Sequence, residues 1–157
     1  MKITYYYYDD RFGLRYDRKD EIFLFDVMNR DKILTIKYDD LCQQVFDLDS
    51  QVRFAGVANS KGELVSGGLR DNVETMLVDD ELKMSIHYAL QKRDLYTNLA
   101  YKIGFERSSI TEYDKVTMIS IPINSSELFM ISTEPRANYL KIIDHIHSVL
   151  ASQQTAK

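Results

Sequence analysis

The sequence predicts an α+β fold, a five-stranded antiparallel sheet with helices on its faces, in the order α-β-β-α-β-β-β-α behind an N-terminal extension. Three observations carry that reading. Apolar residues recur at helical spacing in three segments, over 31–48, 72–98 and 135–150. One strand–turn–strand pattern lies between the first two, and three strand-like runs lie between the last two. The chain has 157 residues, 45% hydrophobic and 28% charged, enough for one domain with a core of its own. A hairpin, a crossing helix and a three-stranded meander close into one sheet that helices then cover in layers.

The first helix is read from the stripe Leu34, Tyr38, Leu41, Val45 and Leu48, with Ile33 and Ile36 beside it. The β-branched residues Ile33, Thr35 and Ile36 leave a strand start as the alternative there. Val52–Ala58 and residues 63–67 read as a hairpin around the turn Asn59-Ser60-Lys61-Gly62. Gly56 inside the first strand marks a bulge or a close approach by a helix. Gly67-Gly68 reads as the break of the second strand, after which Asp71 or Asn72 caps a helical region over 72–98. That region divides into a short turn with Val73, Met76 and Leu77 and a longer helix capped by Asp79 or Asp80. Leu82, Ile86, Ala89, Leu90 and Tyr96 form the buried stripe of the longer helix. Its other side holds Met84, Tyr88 and Leu95, which is more apolar surface than one buried stripe requires.

Residues 100–107, 116–121 and 127–132 read as the last three strands, with Asn124-Ser125-Ser126 as a hairpin turn and Pro122 near a strand end. Thr133 then caps the last helix, Pro135 sits in its first turn, and Leu140, Ile143, Ile146 or His147, and Leu150 make its buried side. Residues 151–157 read as a frayed polar tail.

The segment ahead of this domain is unlike it. Tyr5, Tyr6, Tyr7, Tyr8 and Tyr16 are five of the eleven tyrosines, and they lie beside the charge run Asp17-Arg18-Lys19-Asp20-Glu21. Residues 3–8 and 22–27 are strand-like and could pair as a hairpin, with the charge run as a solvated loop. Residues 1–30 are therefore either a true extension or upstream sequence in front of a domain start near Met28. The domain proper is read as residues 31–150.

Read from Asp31, the element order resembles the roadblock/dynein light chain family and its profilin-like relatives. The residues that carry the resemblance are Val52-Arg53-Phe54-Ala55-Gly56-Val57 and Glu63-Leu64-Val65-Ser66-Gly67-Gly68. The chain is also similar to uncharacterised proteins of ammonia-oxidising archaea, through Arg53-Phe54-Ala55-Gly56, Gly67-Gly68 and the stretch from Ser120-Ile121-Pro122 to Glu134-Pro135. The resemblance implies homodimeric adaptors and regulators, some acting on small GTPases, and brings no catalytic motif. The tyrosine-rich segment departs from the family pattern.

Charge and side-chain chemistry exclude several classes. A net charge of -4 gives no basic field for phosphates, and the tyrosine run is followed by Asp9 and Asp10, so nucleic acid is not the expected partner. No apolar run approaches the roughly 20 residues that span a bilayer. The lone Cys42 and the start MKITYYYYDD, which is no signal peptide, point to the cytoplasm. No metal or cofactor is expected: His145 and His147 lie on different sides of a helix, and His87 is remote. Cys42 lies beside the apolar stripe with Asp39 and Asp40 near it, which holds its thiol protonated rather than activated. No catalytic residue is assigned.

Two function classes stand ahead of a hydrolase or transferase, for which no acid–base pair is discernible. The first is a non-enzymatic homodimeric interaction module, with Met84, Tyr88, Leu95 and Tyr101 on the second helix and the strand after it as the two-fold interface. The alternative is a sensor of a small anion or nucleotide. In that case the turn at Gly67-Gly68, with Arg70 and Arg53, would hold the anionic group. Glycines serving only a sharp turn are the plainer reading of the same residues.

Overall fold

The computed structural model describes residues 5–9, 14–18 and 37–155, in two units, Met1–Lys32 and Ile33–Lys157. In the first unit β1 (Tyr5–Asp9) pairs antiparallel with β2 (Leu14–Arg18), setting Tyr7 opposite Tyr16 and Tyr5 opposite Arg18. The partner of β1 is thus this nearer strand rather than the expected 22–27, and the shorter loop costs less closure entropy. It takes Asp17 and Arg18 out of the expected solvated loop. Residues 22–27 lie outside the described residues.

The second unit continues with α1 (Tyr38–Leu48), β3 (Val52–Ala58), β4 (Leu64–Leu69), α2 (Asp79–Thr97), the short α3 (Ala100–Ile103), β5 (Ser109–Glu112), β6 (Thr117–Pro122), β7 (Leu128–Thr133) and α4 (Tyr139–Thr155). The five strands form one sheet in the order β4-β3-β7-β6-β5, every pair antiparallel. Strand periodicity sorts this sheet into two faces. Ala55, Val57, Ile119, Ile121, Phe129 and Ile131 point to one side, where α1 brings Leu41 and Val45 and α4 brings Ile142, Ile143 and Ile146. Phe54, Ala58, Leu128 and Met130 point to the other side and meet Ile86 and Leu90 of α2. In β6 the alternation is complete: Thr117, Ile119 and Ile121 are buried, and Met118, Ser120 and Pro122 are half-buried.

Several boundaries differ from the sequence reading, each for a local reason. Described α1 begins at Tyr38, and residues 31–36 lie outside the described residues. The second strand does not break at Gly67-Gly68 but runs through both to Leu69. Gly67 has φ +88, and a Cβ there would lie 2.1 Å from the Ala55 carbonyl oxygen and 2.9 Å from Cys42 Sγ, so α1 packs directly over this backbone. The close helix approach expected at Gly56 is thus at its strand partner, and the bulge falls one step on, between Val57 and Ala58.

No helix starts near Asn72, which takes φ +64. Helix α2 starts at Asp79 after Val78, whose N–H donates to the Glu81 carboxylate at 3.0 Å. Residues 100–103 are a helical turn rather than a strand, closed by Gly104 at φ +83, and the strand follows at Ser109. Thr133 belongs to β7, and Asn138 caps α4 by accepting from the Lys141 N–H at 3.3 Å. On α4 the buried side is Ile142, Ile143 and Ile146, Leu140 is exposed, and the helix continues past Leu150 to Thr155.

Pro122 lies at the end of β6, beyond the last β5 partner Ser109, where a ladder N–H would have no acceptor. The turn that follows is built on Asn124. Its Oδ1 accepts from the Ser126 and Glu127 N–H groups at 2.9 Å each, and its Nδ2 donates to Glu127 Oε2 at 2.6 Å. Tyr38 of α1 donates its hydroxyl to the same carboxylate. From the other layer, the Arg93 guanidinium of α2 donates to the carbonyls of Asn124, Ser125 and Glu127.

Candidate functional site

Helix α2 covers only part of its face of the sheet. Leu82, Ile86, Ala89 and Leu90 seat it on Phe54, Ala58, Leu128 and Met130. The neighbouring stripe, Glu81, Met84, Ser85, Tyr88 and Lys92 at helical spacing, stands over uncovered sheet. The space between is an open groove of about 720 Å³. Its floor is Phe54, Met118, Met130 and Ser132, one wall is the α2 stripe with Met76 and Leu77, and the far side is Ser109, Thr111 and Tyr113. Lys92 Nζ reaches across to Ser109 Oγ at 2.5 Å.

The far side is also the edge of the sheet, because β5 pairs with β6 alone. The opposite edge, β4, is less fit for strand pairing. It carries the positive-φ Gly67, and the bulge at Val57/Ala58 twists it.

Of the interface residues expected from sequence, Met84 and Tyr88 line the groove, and Tyr88 is 61% exposed. Leu95 (63%) and Tyr101 (55%) are exposed as well but are not among the groove residues. The strand expected next to them at 100–107 is instead β5 at Ser109–Glu112. Ser109, Thr111 and Tyr113 went unassigned in the sequence reading. The signal for them is the β-favouring pair Ile110-Thr111 after Gly104.

The four residues expected to hold an anion do not converge. Arg53 and Gly68 are in the groove lining, whereas Gly67 and Arg70 are not. Arg70 turns to the C-terminal end of α1 and donates to the carbonyls of Val52 (2.6 Å), Phe46 (2.8 Å) and Asp49 (2.7 Å), with its guanidinium 5.0 Å from the Phe46 ring centre. A cation on orphan helix carbonyls is a structural cap. Arg53 pairs with Glu134 and donates to the Glu74 carbonyl at 2.9 Å. The expected strand-to-helix turn is absent, since Gly67 and Gly68 lie within β4.

The remaining reactive side chains have structural partners. Cys42 is buried, and desolvation, with the charge of Asp39 adding to it, pushes its thiol up to about 11. Burial and the Glu127 carboxylate likewise raise the Tyr38 phenol to about 12. His145 Nε2 meets Gln44 Oε1 at 3.1 Å, and His147 Nε2 meets the Arg107 carbonyl at 3.0 Å, so both are tied to neighbouring elements at the surface of α4. Among the described residues no group of three or more His, Cys, Asp or Glu could hold a metal ion. No helix among them is long and apolar enough to cross a membrane.

A sheet ordered β4-β3-β7-β6-β5, with α1 and α4 on one face and α2 on the other, is the roadblock/LC7 fold, as solved structures show. MglB, a gliding protein from Thermus thermophilus, superposes with a TM-score of 0.60 at 9% identity, over 73% of this chain and 84% of that one. The Myxococcus xanthus MglB gives 0.58 at 14% identity, over 76% and 94%. A roadblock/LC7 domain from Streptomyces avermitilis gives 0.57 at 13% identity, over 74% and 94%. Within that fold class, the chain belongs to the Family of unknown function (DUF6659), whose model matches residues 31–154. Comparison with curated proteins gives no match.

Proposed function

We propose that this chain is a non-enzymatic interaction and regulatory module that acts as a homodimer, in the class of adaptors and small-GTPase regulators. The groove carries the reading. It is an apolar trough of about 720 Å³ open beside an unpaired strand edge, with Met84 and Tyr88 exposed on its wall. A second copy related by a two-fold axis offers the same helix stripe and the same edge, so one surface serves both partners. Leu95 and Tyr101 extend that surface beyond the groove. One fold neighbour is described as MglB with tetrameric arrangement, and self-assembly in that protein supports the reading. The proposal takes residues 31–150 as the working domain and residues 1–30 as its appendage. It includes a cytoplasmic location, supported by the lone cysteine, and an archaeal source, supported by the sequence resemblance.

Light scattering at micromolar concentration tests it. The expected mass is twice the 18.3 kDa of the chain, and a monomer at that concentration overturns the proposal.

A second reading, a sensor of a small anion or nucleotide, has one observation in its favour. The groove lining includes the hydroxyls of Ser109, Ser120 and Ser132, with Arg53 and Gly68. A thermal-shift screen of anions and nucleotides would show stabilisation that Arg53→Ala removes. No shift with any of them retires this reading.

A further inference from the structure

The groove behind the sensor reading changes chemistry along its length. Helix α2 borders it from Glu81 to Lys92, roughly 16 Å of helix at 1.5 Å per residue. Four of the chain's six methionines, Met76, Met84, Met118 and Met130, line it together with Phe54 and Tyr88. Thioether side chains are unbranched and repack readily, so this surface suits a flexible apolar body. A volume of about 720 Å³ is in the range of pockets that enclose such molecules.

The polar groups are gathered at the Lys92 end. The register sets Ser109 of β5 directly opposite Ser120 of β6, so these two half-buried side chains start about 5 Å apart on the groove side. The Lys92 ammonium donates to Ser109 Oγ. Ser109 keeps its O–H to donate, and the ammonium has three N–H groups, of which that bond takes one. At the other end, Asp79 and Glu81 stand in the first turn of α2. Among the described residues lining the groove, Arg53 and Lys92 are the cations, and Arg53 is paired with Glu134. That balance attracts one negative charge at the Lys92 end and repels it at the other. A phosphate group, with a charge of about -2, is poorly matched by one ammonium in a groove that also holds two carboxylates.

Resting on the sensor reading, we infer that the groove takes a straight-chain monocarboxylate, with the hydrocarbon chain along the methionines and the carboxylate on Lys92, Ser109 and Ser120. This moves the anionic head of that reading from Arg53, which Glu134 already engages, to Lys92. The homodimer is a separate reading, and a second copy would compete with this ligand for Met84 and Tyr88.

Isothermal titration calorimetry of the full chain with decanoate, kept below its micellar range, is expected to show one site. Its affinity should be about tenfold tighter than that of octanoate, because two methylenes are added. Lys92→Gln, checked for wild-type thermal unfolding, is expected to weaken decanoate about tenfold and to leave decanol unchanged. Ser120→Ala is expected to weaken decanoate about threefold. Equal affinity for octanoate and decanoate overturns the methionine track. Decanoate binding that Lys92→Gln leaves unchanged overturns the carboxylate placement, and loss with Arg53→Ala instead leaves the sensor reading standing. Inorganic phosphate or ATP binding where decanoate does not bind overturns this ligand class and leaves the sensor reading standing. No binding of any of these probes overturns the sensor reading and the inference together.

Discussion

The two faces of the sheet are built from the same strands by alternation, yet they are finished differently. Under α1 and α4 the strands offer β-branched and aromatic side chains, and Phe129, Ile121 and Ile142 lose all exposure. Under α2 Phe54 and Leu128 share the face with Met118, Ser120, Met130 and Ser132, flexible or small, and the covering helix buries only Ile86 and Leu90. The first face has the composition of a core that holds one packing. The second is seated at one side and open at the other, with adaptable methionines where a partner would press. Close packing is concentrated on one face, which leaves the other partly open.

Substitutions can break that contrast, and the largest effects belong to the closed face. Phe129→Ala is expected to cost about 3–5 kcal/mol in urea unfolding, through lost transfer energy and a cavity that rigid neighbours cannot fill. A cost below about 1 kcal/mol would mean that the α1/α4 core is not tightly packed. Gly67→Ala adds a strained positive φ to a Cβ overlap with Ala55, and is expected to cost about 3 kcal/mol. Gly68→Ala, one residue along the same strand, meets nothing within 4 Å and should stay within about 0.5 kcal/mol. Equal losses at the two glycines would contradict the placement of α1 over Gly67.

On the open face the expectation reverses. Tyr88→Ala should leave monomer stability within about 0.5 kcal/mol and weaken self-association by about 2 kcal/mol, roughly thirtyfold. Analytical ultracentrifugation and thermal unfolding of the same variant separate the two. A large drop in stability with unchanged association would mean that Tyr88 is core.

A further effect is set by pH. Because the Cys42 thiol is raised to about 11 in the folded chain, its contribution is complete below the unfolded thiol value near 9.0. It is lost as pH climbs from there through 11. The gap in unfolding free energy between wild type and Cys42→Ser should therefore hold constant up to about pH 9, and wild type should lose ground from there to about pH 11. A change in that gap already near neutral pH would contradict the burial of the thiol.

How much of this was legible in the sequence follows from how local each cause is. Val52–Ala58 was readable to the residue because it ends at the turn Asn59-Ser60-Lys61-Gly62, a local signal. The face of α1 with Leu41 and Val45 was readable from period alone. The short helix at Ala100–Ile103 was not, since four residues cannot separate a helical turn from a strand, and Gly104 reveals itself only through its φ. Arg70 could not be read as a cap, because the carbonyls it holds lie far back in the chain, at Phe46, Asp49 and Val52. Met84 and Tyr88 were legible as surplus apolar surface on a helix. The groove was not, because its walls come from residues between Arg53 and Ser132 that only the folded sheet assembles.

The turn at 124–127 ties these two layers to each other. Tyr38 grips its carboxylate from the closed side and Arg93 grips its carbonyls from the open side. Neither helix can slide along the strands without pulling on the same four residues, so this turn acts as a rivet through the sheet. A continuous run of hydrogen bonds therefore links α2 to the first turn of α1 across the sheet.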